Sequence, residues 1–174
     1  MDLVYIGKIV NTHGLKGELR ILSTFSYKDL VFKIGNELYV DNKSYKINSY
    51  RVHKNYDMVT FLGFNDINEV LFLKGLDVYI DRKILGDKIL LDDLINFKVI
   101  SKKGDRGIIN DYVKGGKYDY ISVLYNKKTY LIPYIDEFIA SIDTFKKEVV
   151  INEIEGLIDE NWYINIIPKY VWWL

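Results

Sequence analysis

The chain has 174 residues, enough for one medium domain or two small ones. Its 49% hydrophobic and 28% charged residues are the proportions of a folded globular protein, and 24 basic residues balance 24 acidic ones. Before residue 81 there are 10 basic and 9 acidic residues, so neither half is a basic arm, and any RNA contact has to be local or shared with a protein partner. The absence of cysteine excludes disulfides, thiol nucleophiles and cysteine metal sites, and it fits a cytoplasmic protein. The opening "MDLVYIGK" places an acid at residue 2 and has no basic region leading into an apolar run, so no signal peptide is expected. No apolar stretch reaches the roughly 18 residues of a membrane span.

In chain order, the first elements read as short strands. "VYIGKIV" and "ELRIL" flank a turn, and "NELYV", "SYKINSYRVH" and "DMVTFLGF" follow, rich in β-branched and aromatic residues. The pattern changes at "NDINEVLFLKGL". There Asp66 and Glu69 have capping-box spacing, Val70, Leu73 and Leu76 recur at helical spacing, and Gly75 is placed to end a short helix. "DVYI" is strand again. The mixed, charged "DRKILGDKILLDD" is a linker candidate. Beyond it, "NFKVIS", "RGIINDYV", "DYISVLY", "KTYLIPY" and "EVVINEI" are strands separated by turn signals. The glycines of "KKGD" and "GGK" are expected at positive φ. Many short strands with regular turns indicate a mainly β protein, barrel or sandwich, in two small halves. The end, "NWYINIIPKYVWWL", holds all three tryptophans. It reads either as a tail covering an open barrel end or as a patch for a partner.

Catalytic constellations are scarce. Gly7-Lys8 is followed by Ile9 and lacks the upstream glycine of a phosphate-binding loop, and "GGKYD" fails the same test. No Gly-x-Ser-x-Gly elbow occurs. Two histidines, His13 and His53, supply metal sites and triads poorly. Asp92, Asp93, Asp136, Glu137 and Asp143 read as turn and surface acids rather than as acid–base or magnesium groups. His13 acting as a base would need an orienting acid, and Glu18 is the nearest in sequence; the simpler reading is a turn histidine that bonds backbone or an anionic ligand. No catalytic residue, metal or cofactor is therefore expected.

The segment "GKIVNTHGLKGELRI" concentrates what remains. Gly14 and Gly17 let the chain reverse tightly, and Lys8, Lys16 and Arg20 project from or near that turn. Such cations suit phosphate, and His13 suits a base edge or face; a solvated basic hairpin is the alternative. Arg51, His53 and Lys54 form a second small cluster, with residues 51 and 53 on one strand face.

This segment resembles the N-terminal signature of the RimM family of ribosome maturation factors. "FNDINEVLFLKGLDVYI" resembles the close of that family's first domain, and "LDDLINFKVI" the entry to its second, a PRC barrel. "GIINDYVKGGKYDYISV", "LIPYIDEFIASID" and "IEGLID" continue in family order. The resemblance implies two β-barrels in tandem with a few short helices: a six-stranded barrel over 1–82, a linker over 83–92, a PRC barrel over 93–160 and a tail over 161–174. It implies no enzyme activity but an assembly chaperone of the small (30S) subunit head. Such a factor serves 16S rRNA processing by binding small-subunit ribosomal protein nineteen and nearby rRNA, as a cytoplasmic monomer. A general RNA-binding barrel protein of translation and an enzyme on a barrel scaffold are the competing readings. For RNA or partner binding the first-domain candidates are His13, Gly14, Lys16, Gly17, Arg20, Arg51, His53 and Lys54. For a protein partner they are Ile89, Leu90, Tyr118, Asp119 and Tyr134. Ile89-Leu90 stands where many relatives carry an aromatic pair.

Overall fold

The computed structural model describes residues 1–152. The chain divides into two compact units, Met1–Lys88 and a second beginning at Ile89. Expectations for the aromatic tail 161–174 lie outside the described residues.

The first unit is a closed six-stranded barrel. Its strands are β1 (Leu3–His13), β2 (Glu18–Leu22), β3 (Glu37–Val40), β4 (Lys43–His53), β5 (Tyr56–Phe61) and β6 (Asp77–Asp81), ordered β1-β2-β5-β4-β3-β6 around the wall. Alternation along the strands fills the interior with Ile6, Ile9, Leu19, Ile21, Leu38, Val40, Ile47, Val59, Phe61, Val78 and Ile80, each at most 2% exposed. Bulges in β1, between Tyr5 and Gly7 and between Ile9 and Asn11, bend this long strand so that it serves two neighbours. Gly7 is required at the bend: a Cβ there would lie 2.6 Å from the Leu22 carbonyl oxygen.

A short helix, α1 (Lys28–Val31), follows β2. It is tied to the wall by Lys28, whose Nζ lies 2.7 Å from Oδ2 of the buried Asp57. Asp57 also accepts from the Tyr50 hydroxyl at 2.9 Å. Burial, reinforced by the bond to Asp57, pushes the Tyr50 phenol up to about 12.

The expected helix over "NDINEVLFLKGL" is instead two 3-10 turns, Ile67–Glu69 and Leu71–Leu73. The capping box is present: Asp66 accepts from Asn68 N at 2.8 Å, and Glu69 accepts from Asp66 N at 3.1 Å. The segment stays tight because backbone bonds pin both its ends to the barrel. Ile67 N donates to Leu15 O at 3.0 Å and Gly75 N to Ile9 O at 2.7 Å. Val70 and Leu73 are fully buried as the spacing predicts.

The second unit is a six-stranded sheet of order β10-β9-β8-β7-β12-β11. Its strands are β7 (Lys98–Ser101), β8 (Gly104–Val113), β9 (Tyr120–Tyr125), β10 (Lys128–Pro133), β11 (Ile139–Asp143) and β12 (Glu148–Ile151). Strand β12 runs parallel to β7, and the other neighbours are antiparallel. Among the described residues the sheet is open between β10 and β11, whereas the first sheet is closed. Val99, Ile109, Ile121, Val123, Ile132, Val149 and Ile151 form its core, with Leu94 and Phe97 from the entry segment. Strand β11 is not legible in "FIASID", because it follows an irregular Ile-Pro-aromatic segment and its alternation is weak. Gly104 takes the expected positive φ, 108°, and Gly107 just after it takes 109°. Gly115 and Gly116 do not. Gly115 is needed for space instead, since a Cβ there would collide with the Tyr118 carbonyl oxygen.

Candidate nucleic-acid interface

The turn in the opening signature is a four-residue reversal, Gly14 to Gly17, between β1 and β2. Both glycines have left-handed φ, 66° and 71°, where side chains with a Cβ are strained. Gly17 is also buried against the first 3-10 turn, because a Cβ would sit 3.1 Å from the Asp66 carbonyl oxygen. The reversal is therefore braced from behind. Lys16 and Leu15 are exposed at its tip.

Strand register brings the two sequence clusters together. His13 pairs with Glu18, Arg20 and Arg51 both pair with Met58, and His53 pairs with Tyr56. These residues therefore share the outer face of four consecutive strands, β1, β2, β5 and β4. The His13 and His53 rings stack at 6.0 Å between centroids and 24° between planes. Arg51 reaches across β5 to Glu18, with Nε at 2.7 Å from one carboxylate oxygen and Nη2 at 2.5 Å from the other. That bidentate bond raises the Arg51 pKa further. Lys54 lies in the β4–β5 turn at φ 54° and is exposed.

Arg20 is the centre of the wall. Its Nη2 lies 2.6 Å from His13 Nδ1. A guanidinium only donates, so Nδ1 is the acceptor in this bond. The Arg20 guanidinium stands 5.9 Å from the Tyr56 ring centroid. Its Nε is buried and has no hydrogen-bond partner among the described residues, an arrangement native proteins rarely leave without a purpose. The wall thus holds a fixed cation, two stacked imidazoles and a phenol, flanked by Lys16 and Lys54. It can place donors on phosphate oxygens and flat faces under unstacked bases.

Glu18, the nearest acid to His13, engages Arg51 rather than the imidazole, as the reading of His13 without an orienting acid expects, while His13 takes the Arg20 cation as its partner rather than backbone. Glu18 and Tyr56 belong to the wall, although sequence reasoning does not select them. Glu18 alternates with Arg20 along β2, a readable signal; Tyr56 is placed only by the pairing of β4 with β5.

In the second unit the candidate residues are dispersed. Ile89 packs against the core cluster of that unit, and Leu90, half-buried, donates its N–H to Asp93 Oδ2 at 2.7 Å. Residues 82–85 form a 3-10 turn in the first unit, and 91–94 form one in the second. Asp119 accepts from Gly115 N at 3.3 Å, and its carbonyl accepts from Tyr134 N at 2.8 Å. Tyr118 lies beneath the Lys117 ammonium, 4.9 Å from ring centroid to Nζ, and Tyr134 packs against the core. Asp92 is bonded by Tyr112, whose phenol is pushed up chiefly by burial and then by that bond. Asp143 accepts from Lys146 N at 2.9 Å. Among the described residues, no three His, Asp or Glu side chains converge as a metal site would require, and no helix is long and apolar enough to cross a membrane.

Fold and wall together define a class: a two-unit, all-β protein whose closed first barrel carries an ordered polar face across four strands. The family model described as the RimM N-terminal domain matches residues 4–85. The ribosome maturation factor RimM of Exiguobacterium sibiricum is 34% identical over 91% of this chain and 99% of its own length. That of Oceanobacillus iheyensis is 35% identical over 88% and 96%. Among solved structures, a RimM 16S ribosomal RNA processing protein from Pseudomonas aeruginosa is 25% identical, covering 88% of this chain and 98% of that one, with a TM-score of 0.45. The chain belongs to the RimM family of ribosome maturation factors, and its role is in ribosome maturation.

Proposed function

We propose that this chain is a non-catalytic assembly factor for the head of the 30S subunit, supporting 16S rRNA processing as a cytoplasmic monomer without a cofactor. The first barrel supplies the rRNA contact. His13, Lys16, Arg20, Arg51, His53 and Lys54 bind, and Gly14 and Gly17 hold the turn that presents them. Ile89, Leu90, Tyr118, Asp119 and Tyr134 supply contact to small-subunit ribosomal protein nineteen.

The observation that carries this reading is the ordered wall: Arg20 is held between His13 and Tyr56, and Lys16 and Lys54 stand exposed beside it. Donors and ring faces already held in place can bond a phosphate or base edge without first being ordered. Balanced net charge fits a factor that docks on one composite surface rather than on any RNA.

The test is sucrose-gradient sedimentation of the tagged protein from cell extract. Co-migration with free small subunits, weakened by Arg20→Ala, is the expected result. Absence from every ribosomal fraction after mild crosslinking overturns the reading. Tight binding to naked RNA with a steep salt dependence would favour the general RNA-binding alternative.

A further inference from the structure

A second surface of the first barrel has a different chemistry. Strands β3 and β6 close the barrel through a single register pair, Tyr39 with Tyr79, whereas β3 pairs with β4 at four positions. Where β3 and β6 diverge, an open groove of about 340 Å³ is lined by Leu3, Leu76, Tyr39, Tyr79, Asp41 and Asp77. That volume is at the low end of ligand pockets, about 300–1,000 Å³. Tyr5, 53% exposed, extends the aromatic surface by an edge contact with Tyr79 at 5.7 Å.

Charge says what fits. Asp77 lies on β6 two residues before Tyr79, Asp41 lies in the turn just after β3, and both line the groove. No cation is among the described residues lining the groove. Lys8 stands at its margin, 3.9 Å from an Asp77 oxygen and half exposed, a weak solvent-screened contact that an incoming cation can displace. Glu37 adds a third carboxylate, accepting from the Tyr39 hydroxyl at 3.3 Å, while the nearby cation Lys83 is engaged by Asp81 at 3.1 Å. Phenol faces flanked by carboxylates take guanidinium and ammonium groups by cation–π and charge-assisted contacts together, and they repel phosphate. The geometry points to this groove as a docking site for a basic, extended peptide segment rich in arginine or lysine, distinct from the cationic wall of β1, β2, β5 and β4 and independent of its assignment.

The probe is a fluorescein-labelled peptide of alternating arginine and glycine, titrated into the full chain and followed by anisotropy, with backbone-amide NMR shifts to map the contact. The expected result is saturable binding with shifts concentrated at Tyr39, Asn42 and Tyr79. An Asp41→Asn/Asp77→Asn double variant weakens it by about fivefold or more, equivalent to about 1 kcal/mol. Asn tolerates the left-handed conformation of residue 41, φ 48°, so the turn survives. Tyr79→Phe keeps the ring face and most of the affinity, and Tyr79→Leu loses it. Asp136→Asn, which removes an exposed acid in the second unit, leaves binding unchanged. The proposal is overturned if the peptide does not bind, if Asp136→Asn weakens binding as much as the double variant, or if the shifts map elsewhere. It is also overturned if an oligoribonucleotide, rather than the peptide, perturbs Tyr39 and Tyr79.

Discussion

The two units use their polar side chains differently. In the first, polar groups bond each other across strands: Arg51 to Glu18, Arg20 to His13, and Lys28 and Tyr50 to Asp57. In the second, the aspartates mostly serve the backbone nearby. Asp93, Asp105, Asp111, Asp119 and Asp143 accept from Leu90, Gly107, Tyr112, Gly115 and Lys146 N–H groups respectively. Its outer face also carries Ile108, Val113, Leu124 and Leu131, each 40–46% exposed. Side chains that bond across strands hold one another in fixed orientations, which prepares a polar surface before a ligand arrives. Side chains that cap turns stabilise the hairpins they sit in. The first unit presents polar side chains fixed by one another, and the second spends most of its acids on its own turns.

The sharpest way to break this contrast is to damage each unit by its own device. Gly107→Val drives a side chain into the Leu124 carbonyl at a φ of 109°, costing the second unit about 4 kcal/mol or its fold. Calorimetry is expected to show that transition lost while the first unit's survives. Asp57→Ala removes the buried acceptor of both Lys28 and Tyr50. It is expected to destabilise the first unit by about 3 kcal/mol, with the second transition unmoved. If both transitions fall together in either variant, the units do not unfold independently and the contrast in construction has no energetic counterpart.

Smaller effects sharpen it. Arg20→Ala is expected to cost about tenfold in small-subunit affinity, the value of one charge-assisted bond, with little change in Tm. Arg20→Lys does not restore it, since an ammonium cannot hold His13 and offer a second donor in the same plane. The smallest is a pH effect. The Tyr50 phenol is raised from 10.0 to about 12 in the folded protein. Its stabilising contribution is therefore complete below pH 10 and is lost as pH rises through about 12. Denaturant midpoints of wild type are expected to fall over that window, and those of Tyr50→Phe to fall less. Equal slopes would remove Tyr50 from the account.

Much of the candidate wall is legible residue by residue. Gly14 and Gly17 announce the reversal, and His13, Lys16, Arg20, Arg51, His53 and Lys54 stand out as two clusters. That they form one surface is not legible, because β1–β2 and β4–β5 are separate hairpins in sequence. Only the pairing of β2 with β5 sets Arg51 within reach of Glu18, 33 residues away. The helical spacing of Val70 and Leu73 correctly indicates burial but not a continuous helix. Backbone bonds from Ile67 and Gly75 to the barrel hold the segment as two short turns, a tertiary restraint that outweighs periodicity over so few residues.

By itself, the sequence determined the strand-rich character, the turn positions, the alternation that fills each core and the two basic clusters. These depend on side-chain period and on local φ preferences, which act over a few residues. The tertiary structure decided that one sheet closes on itself, that β12 lies parallel to β7, that Arg20 is held between His13 and Tyr56, and that Asp41 and Asp77 line one groove with Tyr39 and Tyr79. Those outcomes depend on which distant strands become neighbours. Hydrogen-bond register fixes that choice, and no local pattern contains it.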